Sequence, residues 1–121
     1  MSDDTVEPPD HLNVGIHRYQ LQVDHSRQLD RDGFRGSTFT NELRIVVDAA
    51  LPESRLRETV VHEALHAISD AVGLDDVLGT APSADDADEM IAALLAPAIV
   101  ALLRDNPGLV GWLVDGTGTS Q

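Results

Sequence analysis

The spacing of apolar residues changes once along this chain, and that change limits the fold more than any other feature. In residues 19–23 apolar positions alternate with polar ones, and in residues 43–47 the apolar residues Leu43, Ile45 and Val47 share one face, which is the period of a half-buried strand. After Pro52 they recur at helical spacing, at Leu56, Val60, Ala64, Ala67, Ile68 and Ala71. Two strands followed by helices predict an α+β domain, in which a small β-sheet packs on the first long helix.

The predicted helices carry recognisable start and stop signals. Pro52 suits a first helical turn and Gly73 a C-terminal cap, so the first long helix is expected between them. A capping-box pair, Ser83 and Asp86, predicts the start of a second long helix that ends near Arg104. Pro97 is expected to kink that helix. Asn106-Pro107 is predicted to open a short C-terminal helix, "PGLVGWLV".

The 121 residues suffice for one domain. Residues 1–10, which hold four acids and paired prolines, predict an acidic disordered leader. Residues 11–114 are expected to form the folded domain, and the polar residues 115–121 a flexible tail. Within the domain, residues 12–24 are expected to form one strand, and the Gly- and Asp-rich residues 30–38 a turn region.

Charge and composition exclude several classes of function. The net charge of −13 argues against nucleic-acid binding, which requires a basic surface. We find no stretch long and apolar enough to span a membrane and no secretory signal, so a soluble, cytoplasmic protein is expected. Six acids and no base lie in Asp75–Glu89. They form a solvated surface, a mimic of nucleic acid, or a docking face for a basic peptide or protein, whose binding would weaken with salt.

The chemistry-bearing motif is His62-Glu63-Ala-Leu-His66, within the first predicted long helix. Histidines four residues apart lie on one helix face, where two imidazoles can bind one Zn²⁺ ion at about 2.0–2.1 Å. Glu63 lies beside that face and can act as a general base toward a zinc-bound water. The alternatives are a surface helix with two solvated histidines and a metal site without catalysis. Because the chain has no cysteine, its metal ligands must be nitrogen or oxygen atoms.

A catalytic zinc usually has a third protein ligand, which the motif does not supply. The longer pattern HExxHxxGxxH is absent, since Ser69 and Val72 stand at its last two fixed positions. Glu89 is the best candidate, because it precedes the apolar run of the next helix and could point back at the motif. The rivals, each also explained as a favourable charge at a helix start, are Asp85, Asp86 and Asp88.

Two segments together resemble a known family. They are "LRIVVDAALPESRLRETVVHEALHAISDAVGL" and "DEMIAALLAPAIVALLRDNPGLVGWL". They resemble small zinc metallopeptidase-like proteins of phages and mobile elements, which share the minimal zincin plan with ImmA/IrrE-type peptidases. The matching features are the strand Ile45–Asp48, the motif His62–Ile68, Glu89 and the pair Asn106-Pro107. The resemblance extends over residues 14–114.

The resemblance implies a minimal zincin-like fold, in which a second long helix and a short C-terminal helix follow the HExxH helix. It also implies one Zn²⁺ per chain, held by His62, His66 and Glu89, with Glu63 as the base. The implied activity is a zinc-dependent endopeptidase that hydrolyses a peptide bond in the host cytoplasm. Residues 43–48 would then be an exposed sheet edge that binds substrate as an added strand.

One feature of such peptidases is missing from the sequence, namely an obvious side chain to stabilise the oxyanion. Tyr19 is the only tyrosine and is expected in the core of its strand. His17 and His25 are expected to be ordinary polar residues. The alternative function is therefore a catalytically weak or inactive, zinc-stabilised adaptor of phage origin. It would bind a host protein through its acidic surface.

Overall fold

A computed structural model describes residues 7–115 of the chain. The strands are β1 (His11–Val14), β2 (His17–Asp24), β3 (Gly36–Phe39) and β4 (Arg44–Asp48). The helices are α1 (Gln28–Arg31), α2 (Glu53–Val72), α3 (Leu74–Leu78), α4 (Ala84–Asp105) and α5 (Pro107–Asp115). The predicted α+β plan is confirmed. Most of the predicted leader and tail, residues 1–6 and 116–121, lies outside the described residues. Among residues 7–115, every helix is too short or too polar to cross a bilayer.

The four strands form one mixed sheet in the order β1-β2-β4-β3. β2 and β4 are parallel, and the other two pairs are antiparallel. The prediction that residues 43–48 form an exposed sheet edge is therefore wrong, because β4 lies between β2 and β3. The edge on this side is β3, within a segment predicted to be a turn. Its inward positions are Gly36 and Thr38 rather than large apolar residues, so it lacks the hydrophobic alternation of a strand.

The segment predicted as one strand, residues 12–24, is a hairpin. β1 and β2 are joined at Gly15 and Ile16, and Gly15 has a φ of +60°, a conformation that glycine adopts without strain. The predicted inward face of β2 is correct, since Tyr19 and Leu21 are buried.

The core lies between the sheet and α2, as predicted. Ile45 and Val47 of β4 are fully buried, and so are Val60 and Ala64 of α2. Leu43 is partly buried against the same cluster, just before β4 begins. The helix ends also agree with the sequence. Gly73 ends α2 in the left-handed region, at a φ of 67°, and the Ser83 hydroxyl oxygen accepts a hydrogen bond from the Asp86 amide at the start of α4. α4 continues through Pro97 to Asp105.

Polar side chains tie the last two helices to the rest of the domain. Asn106 is buried between α4 and α5, and its amide nitrogen donates to the carbonyl oxygens of Asn13 and Leu102. Its Oδ1 accepts from the backbone N–H of Asn13 at 2.7 Å. Arg57 of α2 donates to the backbone carbonyl of Trp112 and lies over its ring. These contacts give Asn106-Pro107 a structural role at the β1 edge.

Candidate metal centre

Helix α2 places the two motif histidines side by side on its exposed face. The Nε2 atoms of His62 and His66 are 3.3 Å apart, and the ring centroids are 4.9 Å apart. Two nitrogens bound to one tetrahedral zinc ion at about 2.0–2.1 Å lie roughly 3.3–3.4 Å apart. The separation of the imidazole nitrogens therefore fits a shared zinc ion without rearrangement of the helix.

Glu63 differs from its two neighbours because it is buried. It is 6% exposed, whereas the His62 side chain is 65% exposed. The Glu63 Oε2 atom lies 4.0 Å from His62 Nε2. A carboxylate oxygen at that distance is too far for a hydrogen bond to the imidazole. It is near enough to meet a water molecule held at the pair, so the position suits a base better than a metal ligand.

Strand β3 packs directly against α2 at Glu63. The Thr38 hydroxyl lies 2.8 Å from Glu63 Oε1 and 3.0 Å from the Glu63 carbonyl oxygen. A Cβ atom placed on Gly36 would lie 2.9 Å from Thr59 Cγ2 and 3.1 Å from Glu63 Cγ. Only glycine fits there without displacement of the strand or the helix. Sequence reasoning missed both β3 residues, since a single glycine and threonine in a polar segment carry no signal of a helix that lies opposite.

An open cleft of about 830 Å³ runs between β3 and the motif face of α2. Its walls include His62, Glu63 and His66 on one side and Phe34 and Arg35 on the other. Phe34 is exposed although it is a large aromatic residue, and Arg35 forms no ion pair with any residue in 7–115. Sequence reasoning did not select either residue, because their proximity to the motif depends on the position of β3.

The predicted third ligand, Glu89, is exposed on the first turns of α4. Within residues 7–115, no three histidine or carboxylate side chains come together in a group that could hold a metal ion. The structure thus brings together two of the three predicted ligands. A second cleft, next to His66, is lined by the carboxylate-bearing residues Asp70, Asp75 and Asp76. The rivals Asp85, Asp86 and Asp88 are exposed on α4, and neither Glu89 nor any of them lines either of these two clefts.

The side chains considered for oxyanion stabilisation lie elsewhere. Tyr19 is 1% exposed in the core, as predicted. Burial raises the pKa of its phenol, and the negative charge of Asp70 raises it further. His17 and His25 are exposed on β2 and just after it. Neither lines the cleft beside the motif.

Comparison with family models, curated proteins and solved structures finds no significant match for this chain.

Proposed function

We propose that the protein is a zinc-dependent endopeptidase, in which His62 and His66 hold the metal and Glu63 is the general base. The observation that carries this proposal is the 3.3 Å separation of the two Nε2 atoms. Because Glu63 Oε2 lies 4.0 Å from one of them, the base and the metal ligands share a single site. The resemblance to small phage metallopeptidases, and their setting in the host cytoplasm, belong to the same proposal.

The histidines and Glu63 have different roles in the proposed hydrolysis. A bound zinc ion would lower the pKa of a coordinated water toward about 7. Glu63 accepts the proton of the attacking water and then donates it to the leaving amine, so one carboxylate serves both steps. Its burial keeps bulk water away from the proton it carries, while the exposed histidines leave the site open to a large substrate.

The edge strand β3 supports a peptide as the substrate. The Asp48 amide donates to the Arg35 carbonyl, so this pair is hydrogen-bonded across β3 and β4. Hydrogen-bonded pairs alternate along an antiparallel ladder, so the backbone groups of Gly36 and Thr38 point away from β4. An extended peptide can add to these groups as a fifth strand, which would lay its backbone along the cleft beside Glu63.

The test of the proposal is Glu63→Gln, which keeps the size of the side chain and removes the base. We expect this variant to fold, to keep its zinc and to lose peptide-bond hydrolysis by a factor of about 10² or more. Glu53→Gln, at an exposed position on the same helix and outside the cleft, is the matched control. Cleavage of a diverse peptide library and zinc content are measured on all three proteins. Equal cleavage by wild type and Glu63→Gln would refute the assignment of the base.

Metal analysis tests the ligand set separately. We expect one zinc per chain when the protein is prepared without chelator, and loss of that zinc in His62→Ala and in His66→Ala. Glu89→Gln is expected to weaken zinc affinity if Glu89 is the third ligand, by at least the about 10- to 100-fold that the loss of an outer-shell partner costs. Full affinity in this variant would move the third ligand elsewhere. Asp76→Asn, at the cleft beside His66, and the α4 rivals Asp85, Asp86 and Asp88 are then tested in the same titration.

A second function, a zinc-stabilised adaptor, is favoured by one observation. The six acids of residues 75–89 are all exposed, and no described base lies among them. Such a surface suits a basic protein partner whether or not the site is catalytic. If fully metallated wild-type protein cleaves no peptide in the library, the adaptor replaces the peptidase as the proposed function.

A further inference from the structure

The two carboxylate oxygens of Glu63 have different surroundings. Oε1 lies 2.8 Å from the Thr38 hydroxyl, whereas Oε2 faces the histidine pair and lies 4.0 Å from His62 Nε2. A hydroxyl has one proton to donate, and an ionised carboxylate can only accept. Oε1 is thus bound to the edge strand, and Oε2 is left to face the metal ligands.

Strand β3 is held close to α2, as the contact between Thr38 and Glu63 requires. The glycine at position 36 lets β3 approach α2 closely, because any Cβ there would meet Thr59 and Glu63. At the same end of the strand, Arg35 accepts a hydrogen bond from the Asp48 amide at 2.9 Å. The Asp48 side chain in turn accepts one from the amide of Ala50, which fixes the start of the connection from β4 to α2. The strand and the helix are therefore both anchored through β4.

We propose that Thr38 is a positioning residue for Glu63: its hydroxyl binds Oε1, so that Oε2 is the oxygen that takes the proton of the attacking water. The inference rests on the proposed function and adds a division of roles between the two oxygens. A glutamate side chain has several rotatable bonds, and an unbound carboxylate would sample orientations that aim neither oxygen at the histidines. The hydroxyl selects one orientation before substrate arrives.

A purely structural role is the competing explanation, because the Thr38 hydroxyl also lies 3.0 Å from the Glu63 carbonyl oxygen. One proton cannot serve both acceptors fully. If the backbone carbonyl is the true partner, Thr38 only ties β3 to α2. The two explanations differ in whether the effect of Thr38 depends on the carboxylate.

The kinetic test compares Thr38→Val, which keeps the shape and removes the hydroxyl, with Thr38→Ser, which keeps the hydroxyl. We expect Thr38→Val to lower kcat about tenfold, with KM and zinc content unchanged, and Thr38→Ser to restore most of the loss. Thr80→Val serves as the matched control, because within residues 7–115 the hydroxyl that it removes bonds the nearby Val77 carbonyl alone. Unchanged kcat in Thr38→Val, together with an inactive Glu63→Gln, would overturn the inference while the proposed function stands. Equal losses in the valine and serine variants would also overturn it.

A second test does not depend on activity. Urea unfolding of the zinc-free protein is measured for wild type, Thr38→Val, Glu63→Ala and the double variant. A bond to the carboxylate predicts that Thr38→Val raises the unfolding constant about fivefold more in wild type than in the Glu63→Ala background. Equal effects in both backgrounds would assign the hydroxyl to the backbone carbonyl and overturn the inference. Thr38→Ala replaces the valine variant in the cycle if the latter does not fold. Were wild type to hydrolyse nothing, the proposed function would fail, and this cycle would still decide the contact.

Discussion

The outward backbone groups at the two edges of the sheet differ in their hydrogen-bond partners. At the β1 edge, the amide of Asn106 bonds both the N–H and the carbonyl of Asn13, two backbone groups that would otherwise point outward. At the β3 edge, no described residue bonds the outward backbone groups of Gly36 and Thr38. One side chain thus takes the place of a neighbouring strand at Asn13 of the first edge, whereas the outward groups of the second edge are left free beside the histidine pair.

This difference separates an edge that is protected against association with other chains from an edge that can bind a substrate. An unpaired strand edge is a template for association with other chains, and proteins usually cover or interrupt it. Here the interruption is at the edge remote from the motif. The exposed edge is short, at four residues, and its neighbour α2 carries the proposed metal ligands. We therefore expect changes at the β1 edge to alter stability and changes at the β3 edge to alter substrate binding.

The largest effect is expected at the β1 edge. Asn106→Ala removes three hydrogen bonds of a buried amide and leaves the Asn13 backbone groups without a partner. We expect the free energy of unfolding to fall by about 3 kcal/mol, measured by urea denaturation. Asn41→Ala, at an exposed asparagine, is the control. A loss below 1 kcal/mol in Asn106→Ala would mean that water replaces the amide, and the contrast between the edges would disappear.

A smaller effect is expected when the substrate is changed so that it cannot form all of its hydrogen bonds to the β3 edge. A peptide that adds to Gly36 and Thr38 donates and accepts backbone hydrogen bonds, so a single N-methyl group at a paired position removes one donor and adds bulk. We expect KM to rise about tenfold for that peptide. Peptides methylated at each position in turn supply the control, since alternate positions should be tolerated. Equal tolerance at every position would show that the substrate does not bind as an added strand.

A still smaller effect is expected from the acids beside the second cleft. Asp75 and Asp76 are exposed and lie near His66, so their charges should attract a basic peptide only at low ionic strength. We expect the double variant Asp75→Asn/Asp76→Asn to raise KM for a basic peptide about two- to threefold at low salt. The difference should vanish in about 0.5 M salt, where screening shortens the range of the charges. Asp105→Asn/Asp115→Asn is the control for net charge. An equal effect in that protein would show that the net charge of the whole molecule, and not the position of Asp75 and Asp76, changes KM.

The smallest effect concerns Tyr19, which pairs with Leu12 across the β1–β2 hairpin. Burial holds the pKa of its phenol above the ordinary value of about 10. The folded protein thus keeps the proton to higher pH than the unfolded chain. Stability should be unaffected by this group up to about pH 10 and should fall above it. Because Tyr19 is the only tyrosine, ultraviolet absorbance of phenolate follows it directly. Titration of the folded protein at or below pH 10 would show that this side of the sheet is open to water.

The sequence predicted the parts of the fold that have strong periodic signals. Long helices with caps, such as the one ended by Gly73, were placed within a few residues, and the alternation that buries Tyr19 was read correctly. The strand β3 was missed because its inward residues are a glycine and a threonine, and their partners lie 25 residues away on α2. Edge and interior positions also depend on pairing order, which alternation alone does not encode.

The residues of the candidate site that lie on a single helix were predicted from the sequence. Spacing of four residues was sufficient to bring His62 and His66 together, and the adjacent glutamate followed from the motif. Thr38 and Arg35 reach the same cleft from another element, so no local pattern could select them. Glu89 was proposed from its place at the start of a helix, and the direction in which that helix presents it depends on tertiary packing. Its role as a ligand remains a prediction.

The contacts at the two edges also differ in the length of chain that each one closes. Thr38 and Glu63 are 25 residues apart, whereas Asn13 and Asn106 are 93 residues apart. The entropy of loop closure grows as the logarithm of length, so the longer loop costs about 1 kcal/mol more to close. The segment from β3 to α2 should therefore assemble early in folding, and the contact between the two ends of the domain late. In hydrogen exchange on the native state, we expect the Asn13 amide to exchange through a local opening of lower free energy than the opening that exposes the amides of β4. The two ends of the domain would then separate while the histidine pair stays in place.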